Sequence, residues 1–159
     1  MSESENLHLK AKFTAIISDM HLTEAEPERP PGDLWKKFKT KQFFYDDVLK
    51  DFLDHIQKSA AGEKVELILN GDVFDFDSVT EIPEDAPYRI SWIEKKRGLF
   101  SEEAKASFKI RKILREHSVF VEALSQFIKN GNTVVIVTGN HDLELHYPSV
   151  QKDILESLK

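Results

Sequence analysis

Cysteine is absent from this chain of 159 residues, and long apolar runs are absent as well. Without cysteine there is no disulfide framework and no thiolate metal site, so any metal must be bound by oxygen and imidazole nitrogen. No stretch approaches the roughly 18 apolar residues of a transmembrane helix, and the polar first residues lack the apolar segment of a secretory signal. We therefore expect a cytoplasmic protein, for which peripheral contact with a membrane stays open.

An overall excess of basic residues is also lacking. The formal net charge is −6, which disfavours nucleic acid as a partner. The charge is uneven, however, because the segment 89–115 carries nine lysine and arginine residues against three glutamates. We interpret this basic segment as the solvent-exposed face of a long helix, and the alternative is a cap over a phosphorylated substrate.

Three short apolar runs predict buried strands. They cover residues 13–18, 65–69 and 134–137. Apolar residues recur at helical spacing over 41–58 and, in one uninterrupted pattern, from 101 to 131, and Pro148 opens a last helix. Strands that alternate with helices are typical of an α/β fold with a parallel sheet.

Three motifs stand directly after these strands. They are Asp19-x-His21, Gly71-Asp72-x-x-Asp75 and Gly139-Asn140-His141-Asp142. Ligands and substrates of open α/β sheets bind beyond the carboxyl ends of the strands, where all three motifs are expected to meet. Each motif alone is common in turns and helix caps, but the three in this order indicate one shared site.

The residue types in the motifs suit divalent metal ions. Asp19 and His21 can turn toward one point, and carboxylate with imidazole suits Mn, Fe or Zn. The Asp72 carboxylate can bridge two ions about 3.5–4 Å apart, and Asn140 offers a neutral carbonyl oxygen. Two such ions lower the pKa of a shared water from ~15.7 toward ~7, which supplies hydroxide for attack on phosphorus.

The last motif also offers a proton donor. His141 is placed to act as the general acid for the leaving group of a phosphate ester. Asp142 follows it in the chain, and we expect its carboxylate to hold the imidazole in the required tautomer.

Together the motifs resemble the calcineurin-like metallophosphoesterase superfamily over roughly residues 13–150. The resemblance implies an α/β fold layered as helix, sheet, sheet and helix, of which this chain supplies about three parallel strands and their helices. It implies two divalent metal ions as cofactors and His141 as the catalytic histidine, with Asp75 orienting the site. The metal ligands that it implies are Asp19, His21, Asp72 and Asn140.

Residues 140–148 are most similar to the branch that contains UDP-2,3-diacylglucosamine hydrolases, which cleave a pyrophosphate in lipid A synthesis. Those enzymes tend to carry arginine at the position of His141, so this chain is expected to act on a different phosphorylated small molecule or lipid-linked substrate. His146 is a further candidate for contact with substrate or metal. Residues 35–39, in which aromatic and basic side chains alternate, are a candidate for contact with a lipid surface.

The superfamily completes its site with a later histidine and a Gly-x-His motif, and neither follows His146 here. We therefore expect residues 1–159 to be the amino-terminal part of one metallophosphoesterase domain, with the carboxy-terminal part and its metal-ligand histidines absent. Such a fragment is expected to have weak or no activity alone and to self-associate through its incomplete sheet. Two alternatives stay open, a DNA-processing metallo-exonuclease and a non-catalytic binding scaffold of the same fold.

Overall fold

A parallel three-stranded sheet forms the centre of the protein. The computed structural model describes residues 11–24 and 45–159, and the strands are β1 (Phe13–Ile17), β2 (Val65–Asn70) and β3 (Thr133–Val137), adjacent in that order. Ile17 pairs with Leu69, and Asn70 pairs with Val137, so the carboxyl ends of the strands lie at one edge of the sheet. The three predicted strands and the α/β class are confirmed, and within the described residues this is the one sheet.

Within the described residues the sheet is accompanied by five α-helices and two short 3-10 helices. The α-helices are α1 (Asp46–Ser59), α2 (Trp92–Arg97), α3 (Glu103–Glu116), α4 (Ser118–Lys129) and α5 (Pro148–Ser157), and the 3-10 helices are Phe76–Ser78 and Leu143–His146. Helix α1 packs against α4, and α3 packs against α5. Residues 35–39 and 41–44 lie outside the described residues. None of the helices in the described ranges is long and apolar enough to cross a membrane.

The prediction of one helix from 101 to 131 is wrong, because the chain breaks at His117 between α3 and α4. The buried His117 ring places Nδ1 2.8 Å from Asp46 Oδ1 and Nε2 2.9 Å from the carbonyl oxygen of Thr23. The other Asp46 oxygen accepts a hydrogen bond from the backbone N–H of Phe120, in the first turn of α4. These polar contacts require the backbone to depart from helical geometry at His117. Apolar residues recur at helical spacing before and after it, so the sequence pattern does not reveal the break.

The interpretation of the basic segment as a solvent-exposed helix face is also wrong in part. Lys105 and Lys109 of α3 are buried. The Nζ atom of Lys105 lies 2.6 Å from Glu94 Oε1 and 2.8 Å from Glu102 Oε2. Sequence charge therefore overstates the positive charge that α3 presents to solvent.

The apolar core surrounds the central strand. Leu67 and Leu69 of β2 are completely buried, whereas Phe13 and Ile16 of β1 are exposed on the edge of the sheet. Burial contributes about 25 cal/mol per Å² of apolar surface. Because β2 lies between the other two strands and its apolar side chains are the most buried, it gains the most stability from burial. Self-association through the incomplete sheet stays a prediction.

Candidate metal centre

The chain after β1 and the chain after β2 remain paired beyond the ends of the strands. The backbone N–H groups of His21 and Leu22 donate to the carbonyl oxygens of Asp72 and Val73, both at 2.9 Å. The N–H of Asp75 donates back to the carbonyl oxygen of Leu22 at 2.8 Å. This pairing fixes the first motif against the second without a further strand.

Backbone conformation is unusual at the residues that carry the candidate ligands. Asp19, His21 and Asp72 have φ angles of 57°, 48° and 51°, in the left-handed region that residues with a Cβ atom seldom adopt. Gly71, directly before Asp72, also has a positive φ of 78°. The two loops therefore turn sharply at the residues whose side chains meet.

The third motif is fixed to the second by the buried Asp142 carboxylate. Asp142 Oδ2 accepts hydrogen bonds from the backbone N–H groups of Val73 at 2.8 Å and Phe74 at 3.4 Å, and Oδ1 accepts one from Gly139 at 2.6 Å. The N–H of His141 donates to Asp72 Oδ1 at 2.9 Å. Both Asp142 oxygens thus face backbone amides, and its predicted effect on the His141 tautomer stays a prediction.

Gly139 permits the close approach of these two loops. A Cβ atom at this position would lie 2.3 Å from Asp72 Oδ1 and 2.4 Å from the backbone nitrogen of Asp72. Such distances are far below van der Waals contact, so only glycine fits without displacement of Asp72.

Two groups of candidate ligands result, and His21 belongs to both. One ligand atom from each of Asp19, His21 and Asp72 lies within 4.8 Å of the others, and the same holds for His21, Asp75 and His141. The His21 and His141 rings meet edge to face with their centroids 5.0 Å apart. Carboxylate oxygens and imidazole nitrogens at these separations fit the donor set of divalent transition metals.

Asp72 is held in the ionised form that metal binding requires. The hydrogen bond from the backbone N–H of His141 lowers the pKa of Asp72 below its usual value, and desolvation opposes this effect. The nearby His141 and His21 side chains and the backbone amide of Asn140 lower the pKa of Asp72 further. The carboxylate is therefore preorganised in its charged state.

Of the other predicted site residues, Asp75 belongs to the second ligand group, whereas Asn140 and His146 are exposed. Asp75 Oδ1 lies 4.0 Å from His141 Nδ1, and the Asp75 carboxylate also accepts hydrogen bonds from Ser78 N at 3.1 Å and Ser78 Oγ at 2.6 Å. Asn140 is exposed at the tip of the third loop. His146 is exposed, contacts the carbonyl oxygen of Leu143 and belongs to neither ligand group.

Two buried glutamates near the motifs were not predicted from the sequence. Glu24, just after the first motif, accepts hydrogen bonds from the backbone N–H groups of Thr80 at 2.7 Å and Glu81 at 2.9 Å, and so fastens the chain that follows the second motif. Burial raises the pKa of Glu144, while the charge of the buried Lys109 opposes that rise. Both glutamates were visible in the sequence, but nothing there indicated their burial.

A parallel sheet with carboxylates and imidazoles gathered at its carboxyl edge defines a candidate metal-dependent enzyme. Residues 14–157 match the family described as calcineurin-like phosphoesterase, and the chain belongs to this family. Membership implies phosphoester hydrolysis in general, and the family is typically metal-dependent. No curated protein and no solved structure matches the chain.

The matched range begins at the second residue of β1 and ends with the last residue of α5, so the family domain extends well beyond the first half of the chain. The resemblance to the UDP-2,3-diacylglucosamine hydrolase branch is not confirmed by this match. That residues 1–159 form the amino-terminal part of a larger domain also stays a prediction.

Proposed function

We propose that this chain carries the metal centre of a phosphohydrolase that uses two divalent ions to cleave a phosphomonoester or pyrophosphate bond. The observation that carries the proposal is the meeting of the first and second strand-end loops, which brings ligand atoms of Asp19, His21 and Asp72 within 4.8 Å of one another. Membership in the calcineurin-like phosphoesterase family supports the same reaction class. The substrate is a phosphorylated small molecule or a lipid-linked phosphate.

The first group of donors, Asp19, His21 and Asp72, supports the ligand assignment, and Asn140 is added from the family resemblance. Asp19 and His21 would hold one ion, Asn140 would contribute to the second, and Asp72 would contact both. Bound divalent ions neutralise charge on phosphoryl oxygens and lower the pKa of water. Asp72 would serve as a ligand of both ions because its loop is hydrogen-bonded to the first and third loops and its carboxylate stays ionised.

His141 would supply the proton that the leaving-group oxygen requires. Its side chain is partly exposed beside the ligand atoms of His21, where a substrate can reach it. Asp75 Oδ1 lies 4.0 Å from His141 Nδ1, beyond hydrogen-bond distance, so its carboxylate would act on the ring through its charge and leave Nε2 for the substrate. We therefore assign the orienting role to Asp75 and an anchoring role to Asp142.

Titration of the whole chain with Mn²⁺ by isothermal calorimetry tests the metal centre. Asp72→Ala is expected to weaken the tightest Mn²⁺ site by more than about 100-fold. Loss of a metal ligand lowers the affinity more than loss of a residue that only hydrogen-bonds to a ligand. Asp54→Ala, on the exposed surface of α1, is the matched control and should leave the affinity unchanged. Equal affinities for Asp72→Ala and the unaltered chain would contradict the assignment.

Hydrolysis is tested separately with p-nitrophenyl phosphate and with a small pyrophosphate diester. The proposal predicts product release that depends on added Mn²⁺ and stops on addition of EDTA. If Mn²⁺ binds through Asp72 but neither probe is cleaved by the chain or by any longer form of it, the non-catalytic scaffold becomes the better account.

A further inference from the structure

Helix α2 presents large apolar and basic side chains together on its outer side. Trp92 is 70% exposed, and Ile93 and Phe100 are 45% and 48% exposed. Lys96 Nζ lies 4.5 Å from the centroid of the Trp92 ring. We call this the α2 surface, and its members are Trp92, Ile93, Lys95, Lys96, Arg97 and Phe100.

The acidic residue of this helix is withdrawn from the α2 surface. Glu94 is 2% exposed, and its carboxylate accepts hydrogen bonds from the backbone N–H groups of Ser91 at 2.8 Å and Phe100 at 3.1 Å. It also pairs with Lys105 of α3 at 2.6 Å. Burial of Glu94 leaves an outward surface that is positive and apolar, although the sequence there reads as mixed charge.

The basic residues of α2 differ from those of α3 in their partners. Lys105, Arg111, Lys112 and Arg115 of α3 each pair with a carboxylate. Among the residues that the structure describes, Lys95, Lys96 and Arg97 form no ion pair. The unneutralised positive charge of this basic segment is therefore concentrated beside the exposed Trp92.

The α2 surface is held in a defined orientation. Ser91 and Glu94 form a reciprocal capping box at the start of the helix. At its end Gly98, with φ of 95°, packs so closely that a Cβ atom would lie 2.5 Å from the carbonyl oxygen of Val79. These contacts hold a helix of only six residues in place although its apolar side chains lie in solvent. Burial of the same side chains against the core would stabilise the fold more.

We propose that the α2 surface docks the protein onto an anionic lipid bilayer. Tryptophan and other apolar side chains partition to the headgroup level, and lysine and arginine are attracted to anionic headgroups. The net charge of −6 means that most of the remaining surface is repelled by such a bilayer. Repulsion elsewhere and attraction at α2 would orient the molecule with this surface toward the lipid.

A lipid surface meets both chemical demands of the α2 surface at once. It offers a continuous apolar layer for Trp92 and Phe100 and a dense negative charge for the three basic side chains, without the shape complementarity that a protein partner must supply. The proposal does not depend on the metal centre, since α2 contributes no residue to it.

Co-sedimentation of the full chain with vesicles tests the proposal. The probes are vesicles of phosphatidylcholine alone and of phosphatidylcholine with phosphatidylglycerol. Binding is expected to the anionic vesicles only and should weaken with salt. In a Trp35→Phe background, the emission of Trp92 should shift to shorter wavelength on addition of anionic vesicles, because the indole leaves water.

Three sets of variants localise the binding. Replacement of Lys95, Lys96 and Arg97 by glutamine should weaken partition into anionic vesicles about 10²-fold, at about fivefold for each charge. Trp92→Ala with Phe100→Ala should weaken it by about tenfold or more. The matched control is Lys152→Gln with Leu155→Ala on α5, whose side chains are equally accessible at 72% and 64%, and it should bind like the unaltered chain.

Circular dichroism of every variant establishes that the fold is retained before binding is compared. Absence of binding to anionic vesicles would overturn the proposal, as would equal binding to neutral ones. Binding that survives both sets of α2 substitutions would overturn it too and would direct attention to residues 35–39. A loss of binding in the α5 control as large as in the α2 variants would show a non-specific charge effect.

Discussion

Replacing Asp142 with asparagine would test what fixes the third loop to the second. Asp142 is completely buried, and its two oxygens accept three backbone hydrogen bonds, from Val73, Phe74 and Gly139. Asparagine has the same shape but offers one oxygen and one NH₂ group. One of the two sites must then present a donor to a backbone donor.

The magnitude follows from the less costly of the two asparagine orientations. If the asparagine oxygen keeps the hydrogen bonds from Val73 and Phe74, its NH₂ group faces the N–H of Gly139. In the unaltered chain that N–H donates to a carboxylate oxygen of Asp142 at 2.6 Å. Loss of a hydrogen bond to a charged acceptor costs about 1.5–3 kcal/mol, and a buried donor without a partner costs about 1–3 kcal/mol more. We expect Asp142→Asn to lower the free energy of unfolding by about 2.5–6 kcal/mol, a large part of the ~5–15 kcal/mol typical of a domain.

Urea unfolding followed by circular dichroism measures this loss. The midpoint should fall while the dependence of the free energy on urea stays constant, since the surface exposed on unfolding is unchanged. Asp75→Asn is the matched control, because asparagine can also accept the hydrogen bond from Ser78 N that caps the 3-10 helix, and its expected cost is below about 1 kcal/mol.

A loss below about 0.5 kcal/mol for Asp142→Asn would contradict the anchoring role, because a buried acceptor of three amide hydrogen bonds cannot be replaced with so small a loss of stability. Mn²⁺ affinity supplies a second readout. Displacement of the third loop moves the N–H of His141 away from Asp72, so Asp142→Asn should also weaken Mn²⁺ binding. If stability is retained and turnover alone falls, Asp142 acts on the His141 ring, as the sequence predicted.

Three further predictions concern the site and α2. Gly139→Ala would force a Cβ atom to within 2.3 Å of Asp72 Oδ1, so Mn²⁺ affinity should fall about tenfold or more in calorimetry, and an unchanged affinity would refute the close approach. His141→Ala should spare Mn²⁺ binding but slow hydrolysis of p-nitrophenyl phosphate by about 10²–10⁴-fold, and loss of the metal would make His141 a ligand instead. Desolvation raises the pKa of Glu94, but the hydrogen bonds that its carboxylate accepts outweigh this effect and lower the pKa from 4.5 to about 2. The ionised carboxylate therefore stabilises the fold at pH values above the pKa of the unfolded chain, and this stabilisation is lost as the pH falls from 4.5 to about 2. Glu94→Gln should reduce the pH dependence of urea stability in that window, and identical profiles would contradict the shift.

The strands and the site edge were predictable because their causes are local. A strand that is buried on both faces has a continuous run of apolar residues. The predicted run at 65–69 differs from β2 (Val65–Asn70) by one residue. Parallel pairing then brings the residues after each strand to one edge whatever the details of the helices. That geometry made the meeting of Asp19, Asp72 and His141 predictable from their positions alone.

The roles that were not predictable depend on contacts between distant parts of the chain. His117 breaks the helical pattern to reach Asp46 and the carbonyl oxygen of Thr23, and both lie far away in sequence. Lys105 reads as a solvent-facing cation until Glu94 is placed beside it. Two of the three backbone partners of Asp142, Val73 and Phe74, are similarly remote, so nothing in the sequence indicated that its carboxylate holds the third loop to the second.

Backbone conformation ties the stability of the fold to the metal centre. Among the described residues, four with a Cβ atom have a positive φ, and three of them are Asp19, His21 and Asp72. Each such residue costs roughly 1 kcal/mol relative to a relaxed backbone, and glycine would remove that cost. Glycine would also remove the carboxylate or imidazole, so the strain is the consequence of keeping a ligand at a sharp turn. The pairing of His21 N–H with the carbonyl oxygen of Asp72 holds two of these turns against each other, and the ligand atoms are thereby positioned before any ion binds.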